Sequence, residues 1–435
     1  MKKALLVALV LVALHAWYAG LVGLAEDEAY YWVWSRHPAL GYFDHPPVIA
    51  WLIGAGTALL GDTERGVRLG AALLGGLAAL ATAGLARDRV VAVATLGTMP
   101  LMALGGTLAT PDVPLVAAWA LGILAASRGW WAAAGAAAGL AMLSKYTGVF
   151  LLPLLLLGAR PSPRTRGPWI AAGVALLVYA PNAAWNLSHD LVSWRFQLDH
   201  VAASAQRLAF LGAQVGLAGP LLFGALAAWW AVAWRGDPVE RLCWWASAPL
   251  LVVAVLAGGE ANWAAPAFVG AVAGLSRRSG RWSRAAWAGM GVNAALSALV
   301  LVHAVHPLAN LPADPTDRLR GGRILGEAVA AWGTPDVLTA RYQEAALIEF
   351  YGHVPARAWP GMGRPDQYDL WSPPLPERGL FVRVWSASTR VAVEDKGYDH
   401  GGANVVTAYA DTTDPRAARL VARWQVYEIW RLEPR

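Results

Sequence analysis

The feature that most constrains this chain is a succession of apolar runs about 20 residues long, the length that crosses a bilayer as a helix. The first covers residues 4–24. Others follow at 66–86, 90–109, 112–127, 130–146, 147–158, 168–187, 208–234, 242–258, 263–276 and 285–305. That makes about eleven expected spans. The piece 48–60, VIAWLIGAGTALL, is too short to span comfortably. It reads as an interfacial helix with Trp51 at headgroup level. Composition agrees: the chain is 57% hydrophobic and 15% charged, where soluble domains carry about 25% charge. The lysines that open the chain and the apolar run after them resemble a signal peptide. No small-residue cleavage site precedes the acids at 26–28, so an uncleaved first span is expected.

Charge at the junctions tests this reading, because cytoplasmic loops collect Lys and Arg. Alternate junctions are basic: MKK at the start, RDR at 87–89, Arg128, RPSPRTR at 160–166, Arg235 to Arg241, and RRSGRWSR at 277–284. The opposite junctions are EDE at 26–28, TPD at 110–112, SKY at 144–146, SHD at 188–190 and GGEAN at 258–262. A full span at 48–60 would invert every later junction. A cytoplasmic N-terminus is therefore expected, with the acidic loop and the tail outside, in a bacterial cytoplasmic (inner) membrane. The net charge of +6 is accounted for by those basic loops. No basic-aromatic motif points to nucleic acid. The single Cys243 excludes an intrachain disulfide and a CxxC metal site.

After about residue 306 no run of spanning length remains, and Pro, Asp and charge increase. The expected organisation is a membrane domain over 1–306, with a first external loop at 25–65, and a small soluble α/β domain over 307–435. Within the tail, DPTDRLRGGRILGEAVAAWG reads as an amphipathic helix with Leu319, Ile324, Leu325 and Val329 on one face. A second helix is expected at 343–351, before GRPDQYDLWSPP. VLTA (337–340), LFVRVW (380–385) and VARWQVYEIWRLE (421–433) read as strands.

The chemistry gathers at the external junctions. Glu26, Asp27 and Glu28 stand in a row before Tyr30, Tyr31, Trp32 and Trp34. Acids favour the first turn of a helix, which explains one or two of them; a substrate-facing carboxylate is the other reading. Asp44 and His45 precede two prolines, which keep them on a loop. They suit either a capped turn or contact with phosphate or a divalent metal, although two donors are fewer than metals such as zinc usually take. Asp112 in TPDVP either caps a helix or faces substrate. Lys145, beside Tyr146, is an external cation, suited to snorkelling or to a phosphate. Trp185, Asn186, His189, Asp190, Arg195, Gln197, Asn262 and Trp263 share that face as interface anchors or site groups. In the tail, Gln367, Tyr368 and Trp371 either cover a site or pack the domain. No GxxxxGK[ST], HExxH or GxSxG set is present.

The ordered strings DEAYYWxWSR, GYFDHPPxIAW, GVRLGAALL, TPDVPL, LSKYTGVFLLP, APNxxWNxxHDxVSxRFQ and ANWAAPA carry a resemblance over nearly the whole chain. So do DPTDRLRG, RYQEAALIEFY and GRPDQYDLW in the tail. They resemble the bacterial branch of the GT-C glycosyltransferases, the protein-mannosyltransferase-like family 39, which includes relatives of the aminoarabinose lipid A transferase. The resemblance implies an α-helical polytopic membrane enzyme that moves a sugar, with inversion, from a polyprenyl-phosphate donor to an acceptor hydroxyl of lipid, glycan or protein. It implies an essential acid in the first external loop, here Asp27 with Glu28 beside it. It aligns Asp44 and His45 with an acidic-then-basic pair whose basic member contacts lipid phosphate; His stands here where the relatives carry Lys. Lys145 matches a basic residue at a span end, and Arg68 lies in a shared motif. Arg36, His45 and Lys145 with Tyr146 are the expected donor-phosphate residues; Asp44, Asp112, His189 and Asn262 are further site candidates. No cofactor is required, and a divalent metal on Asp44 and His45 is the alternative to a cation. The expected partners are the lipid-linked sugar, membrane lipids and an acceptor the sequence does not specify. A transporter or flippase of lipid-linked sugars is the competing reading, against which stand the clustering of ionisable groups at one face and the absence of a visible repeat.

Overall fold

The structure, a computed structural model, describes residues 1–203, 207–309, 314–331, 333, 336–360, 364–372, 379–384, 419–424 and 427–432. Contacts divide the chain into two units. The larger comprises Met1–Leu21 and Pro38–Asn310, and the smaller Val22–His37 and Leu311–Arg435. The stretch expected as one loop, 25–65, is thus split: its first dozen residues fold with the C-terminal part of the chain.

The larger unit is a helical membrane body. Among the described residues four helices are long and apolar enough to cross a bilayer: Glu64–Leu85, Arg166–Ser188, Pro238–Ala257 and Arg281–Val305. The run 208–234, expected as one span, is Arg207–Ala218 and Pro220–Ala233 with a bend of 109° between them. Gly219 makes the corner at φ +80°, a backbone region glycine enters without steric cost, and Pro220 starts the next helix where no N–H is needed. The run 90–109 is likewise broken, into Arg89–Thr98 and Pro100–Gly105. Pro100 cannot donate into the preceding turn. Asp112–Ser127 and Trp131–Ser144 are shorter apolar helices, as is Val48–Leu60.

Asp112–Ser127 lies in the middle of this body and is buried on nearly every side. Trp119 on it is fully buried and donates its indole N–H to the Ala246 carbonyl at 2.9 Å. Helix Trp131–Ser144 packs on Arg166–Ser188 through Gly135 and Gly139. A Cβ at Gly135 would collide with the Ala171 backbone, and one at Gly139 would lie 2.8 Å from the Ala175 carbonyl oxygen. This is the close approach that small residues four apart allow between helices in lipid. Arg68 is buried and donates to the Ala19 carbonyl at 2.8 Å, at the C-terminal end of helix Lys2–Tyr18. A cation suits that end of the helix dipole.

The smaller unit is an α/β fold. Strands β1 (Val337–Thr339), β2 (Ala356–Ala358), β3 (Gly379–Val384), β4 (Arg419–Trp424) and β5 (Tyr427–Leu432) form one sheet in the order β2-β1-β3-β5-β4. β1 pairs parallel with β2 and β3; β5 pairs antiparallel with β3 and β4. Helix Tyr342–Gly352 connects β1 to β2, the crossover a parallel pair requires. Helix Glu26–Arg36 packs on it, with Trp32 edge-on to Phe350 at 5.1 Å and the Leu24 N–H donated to the Tyr351 hydroxyl at 2.7 Å. The expected amphipathic helix is Gly322–Ala330. Leu325 and Val329 are buried, as is Leu319 in the turn before it, but Ile324 is exposed and not on the inner face. Residue 324 is one step from 325, about 100° around the helix, and so leaves the buried stripe.

Candidate active site

In the smaller unit the three acids open helix Glu26–Arg36. Their roles separate. Glu28 is fully buried, and its Oε2 accepts the Ala25 N–H at 2.9 Å, closing the first turn of its own helix. Glu26 lies 3.9 Å from Arg318. Asp27 is partly exposed and faces Tyr342, whose hydroxyl donates to Asp27 Oδ1 at 3.4 Å. Arg364 donates to the same hydroxyl at 2.9 Å, and its guanidinium lies 4.6 Å from the Tyr342 ring centroid. Asp27 is therefore set against a phenol backed by a cation. Tyr30 packs on Tyr342 at 4.2 Å, and its hydroxyl accepts the Gln367 N–H at 2.6 Å. Tyr368 donates to Glu349 at 2.8 Å, and Trp371 lies 4.6 Å from the His37 ring. Gln367, Tyr368 and Trp371 thus pack this unit. Arg36 is exposed, 5.7 Å from the Trp32 ring centroid.

Burial raises two carboxyls in this unit. Glu349 reaches about 7 through desolvation, partly offset by the Tyr368 hydrogen bond. Glu344 also reaches about 7 through desolvation, although Arg341 beside it pulls the other way.

In the larger unit, Asp44 and His45 sit on a loop whose carbonyls are held by two consecutive helices, Arg166–Ser188 and Val192–Ala203. Asn182 donates to Leu40 O at 2.8 Å, Ser193 to Tyr42 O at 2.6 Å, and Gln197 to Asp44 O at 2.8 Å. From the other side Trp51 donates to Ala39 O at 3.1 Å. A Cβ at Gly41 would strike the Trp185 ring, so glycine is required by that approach. The motif APNxxWNxxHDxVSxRFQ therefore acts as a clasp on the loop. Asp44 is buried and His45 half-buried. His189 stacks on Trp185 at 4.1 Å, with Nδ1 2.8 Å from the Trp185 carbonyl, and is engaged locally.

Three candidates come together elsewhere in the same unit. Lys145 Nζ donates to both Asp112 oxygens at 2.8 and 3.0 Å, and Asn262 donates to Asp112 Oδ2 at 2.6 Å. Lys145 and Asp112 are both buried. The lysine is neutralised by its carboxylate partner and is not an isolated external cation. Tyr146, next in sequence, accepts from Asn186 at 3.1 Å. Asp112 and Asn262 line one part of a cavity of about 230 Å³ whose remaining wall is mostly apolar, including Leu96, Leu101, Met102 and Val116.

A metal would need more than Asp44 and His45 offer. Among the described residues no group of three or more His, Cys, Asp or Glu side chains could hold one. Asp44 and His45 alone do not make such a set. Sequence reasoning missed Tyr342 and Arg364 as neighbours of Asp27; the shared strings RYQEAALIEFY and GRPDQYDLW contain both.

Residues 44–185 match the family described as dolichyl-phosphate-mannose-protein mannosyltransferase. The matched stretch lies within the larger unit. Over 277 residues it is 35% identical to the lipid A galacturonosyltransferase RgtD of Rhizobium johnstonii, a match covering 56% of this chain and 58% of that protein. The chain thus spans less than two thirds of that relative's length. Two solved structures of ArnT from Cupriavidus metallidurans share the fold. The form bound to undecaprenyl phosphate has a TM-score of 0.69 at 17% identity, covering 99% of each chain. The apo form has a TM-score of 0.66 at 19% identity, covering 98% of each. The GT-C fold expected from the mannosyltransferase-like strings is the fold the chain has, and it is a multi-pass membrane protein.

Proposed function

We propose that the protein is a glycosyltransferase that takes a sugar from a polyprenyl-phosphate donor and passes it to a hydroxyl of an envelope glycolipid. The observation that carries this reading is the 35% identity to a lipid A galacturonosyltransferase. The undecaprenyl phosphate bound by ArnT, which has the same fold, supports the donor class. The mostly apolar cavity that Asp112 and Asn262 help to line suits a molecule with both an apolar chain and a polar group. The matched family and the curated relative are both named for sugar transfer, so transport is set aside.

In the proposed reaction the acceptor oxygen bonds to the anomeric carbon as the bond from that carbon to the lipid phosphate oxygen breaks. The electron pair leaves with the phosphate, and inversion follows from attack opposite to it. Asp27 takes the acceptor proton. Tyr342 and Arg364 hold Asp27 in orientation. Arg36, on the same helix as Asp27, is the basic residue assigned to the leaving phosphate; phosphate departs without a strong general acid. Alternation of basic junctions along the sequence supports a cytoplasmic N-terminus, a C-terminal domain outside, and residence in the inner membrane.

The test is transfer by detergent-purified protein offered a panel of polyprenyl-phosphate sugars and a lipid A acceptor. Asp27→Asn should release polyprenyl phosphate at least 100-fold more slowly than wild type, the scale of a lost general base. Wild-type rates in a well-folded Asp27→Asn protein would overturn the assignment of Asp27. Lipid-linked sugar moved across vesicles without release of polyprenyl phosphate would overturn the transferase reading.

A further inference from the structure

A second concave site lies in the larger unit, apart from the residues assigned to transfer. It is a basin of about 1030 Å³ built from three separate segments: Met1 to Ala4, Ala86 to Val90, and Ser276 to Ser283. Six basic side chains line it, Lys2, Lys3, Arg87, Arg89, Arg277 and Arg278, against one lining carboxylate, Asp88. Asp88 is already used, accepting the Val91 N–H at 3.1 Å as a helix cap. Two basic residues are part of the framework. Arg277 bonds to Leu85 O at 2.7 Å and to Asp237 at 2.8 Å, and Arg278 pairs with Glu240 at 2.5 Å. Arg87 reaches Asp237 more loosely, at 3.5 Å. Lys2, Lys3 and Arg89 are exposed and pair with no carboxylate among the described residues.

The lining also contains two buried polar atoms without partners. Ser276 is 3% exposed, and its Oγ makes no hydrogen bond; Arg277 Nε makes none either. Unpaired buried donors cost stability, and both residues line the cationic hollow. A phosphate supplies both the negative charge and the acceptors.

The surroundings select among phosphate-bearing molecules. Just beyond Lys2 and Lys3 the same helix exposes Leu5, Leu6, Leu9 and Val10. A ligand whose phosphate sits among the lysines would have an apolar surface at hand for acyl chains. We infer that this basin binds the phosphate of an anionic phospholipid, its chains lying along helix Lys2–Tyr18. The site is independent of the transferase reading and uses none of its residues. A basic pocket between membrane helices on the side richer in Lys and Arg is the setting in which such headgroups are held.

The experiment uses the full chain in detergent and native mass spectrometry with phosphatidylglycerol, phosphatidylcholine or inorganic pyrophosphate. Phosphatidylglycerol should be retained and phosphatidylcholine lost. Combining Lys2→Gln, Lys3→Gln and Arg89→Gln should lower retention on the order of 100-fold, at about 1 kcal/mol for each cation near a lipid surface. Combining Lys2→Arg, Lys3→Arg and Arg89→Lys should keep it, which separates charge from misfolding. Equal retention of the two lipids, or equal retention by the Gln variant and wild type, overturns the inference. Binding of pyrophosphate at the expense of phosphatidylglycerol keeps the phosphate site and overturns its assignment to a lipid.

Discussion

Asp112, Lys145 and Asn262 illustrate how far single residues can be read from sequence. Each was conspicuous alone as a polar group at an apolar junction. Their mutual bonding was invisible, because 33 residues separate Lys145 from Asp112 and 150 separate Asp112 from Asn262. The pairing changes what substitution should do. Removing one charge leaves the other buried and uncompensated, which costs about 3–5 kcal/mol, whereas removing both with apolar groups of similar size costs much less. Lys145→Met and Asp112→Leu should each lower the detergent melting temperature by several degrees, and the double variant should recover most of the loss. A double variant as unstable as the sum of the singles would mean that the pair is not coupled. Glu28 carries a related lesson. Three acids in a row invite one function, yet Glu28 closes a helix turn while Asp27 faces Tyr342. Glu28→Gln keeps an acceptor for the Ala25 N–H, so it should retain fold and most activity where Asp27→Asn does not; transfer assays on the two variants side by side would check this.

Secondary elements were legible where composition defines them and less so where direction does. Hydropathy reported the apolar runs, because a bilayer demands length and apolarity. It could not report that 208–234 turns sharply at Gly219 or that 90–109 breaks before Pro100, because backbone direction leaves little trace in an apolar average. The strands at 337–339 and 379–384 were visible from β-branched and aromatic content. The strand Ala356–Ala358 was not, being three residues of low strand propensity held by the β1 ladder. The clasp on the Asp44–His45 loop follows the same division: its residue string was visible, its targets were not. Contact between helices Trp131–Ser144 and Arg166–Ser188 is set by Gly135 and Gly139, where added side chains meet backbone that cannot yield. Gly135→Leu should therefore force these helices apart and loosen the loop that Asn182 holds. Limited proteolysis near Leu40 should be faster in Gly135→Leu than in wild type, and unchanged for Gly173→Leu, where a Cβ meets open space.

The whole molecule joins an apolar helical body to an α/β unit assembled from two distant parts of the chain. Its first contribution, Val22–His37, is bracketed in sequence by the larger unit. The smaller unit therefore forms only when residues such as Asp27 and Tyr342, 315 positions apart, meet, a non-local closure that slows folding. Its stability should also depend on pH. Glu349 titrates near 7 in the folded state, well above the ordinary carboxylate value, because burial disfavours its charge. A raised folded pKa means that the folded state holds the proton more tightly than the unfolded state does. That contribution is complete below about pH 4.5, declines as pH rises, and is gone above about 7. For a half-buried group a shift of this size corresponds to about 3.4 kcal/mol as an upper bound, on the order of 2 after partial solvation. Glu344 shifts the same way and adds to the effect, reduced by Arg341. Amide exchange in helix Tyr342–Gly352 should thus show greater protection at pH 5.5 than at pH 8, after correction for the intrinsic rate. Glu349→Gln, which stays neutral at both, should reduce that difference and raise protection at pH 8. Protection that is equal at the two pH values in wild type, or unaltered by Glu349→Gln, would mean that this carboxyl is charged and solvated in the folded unit.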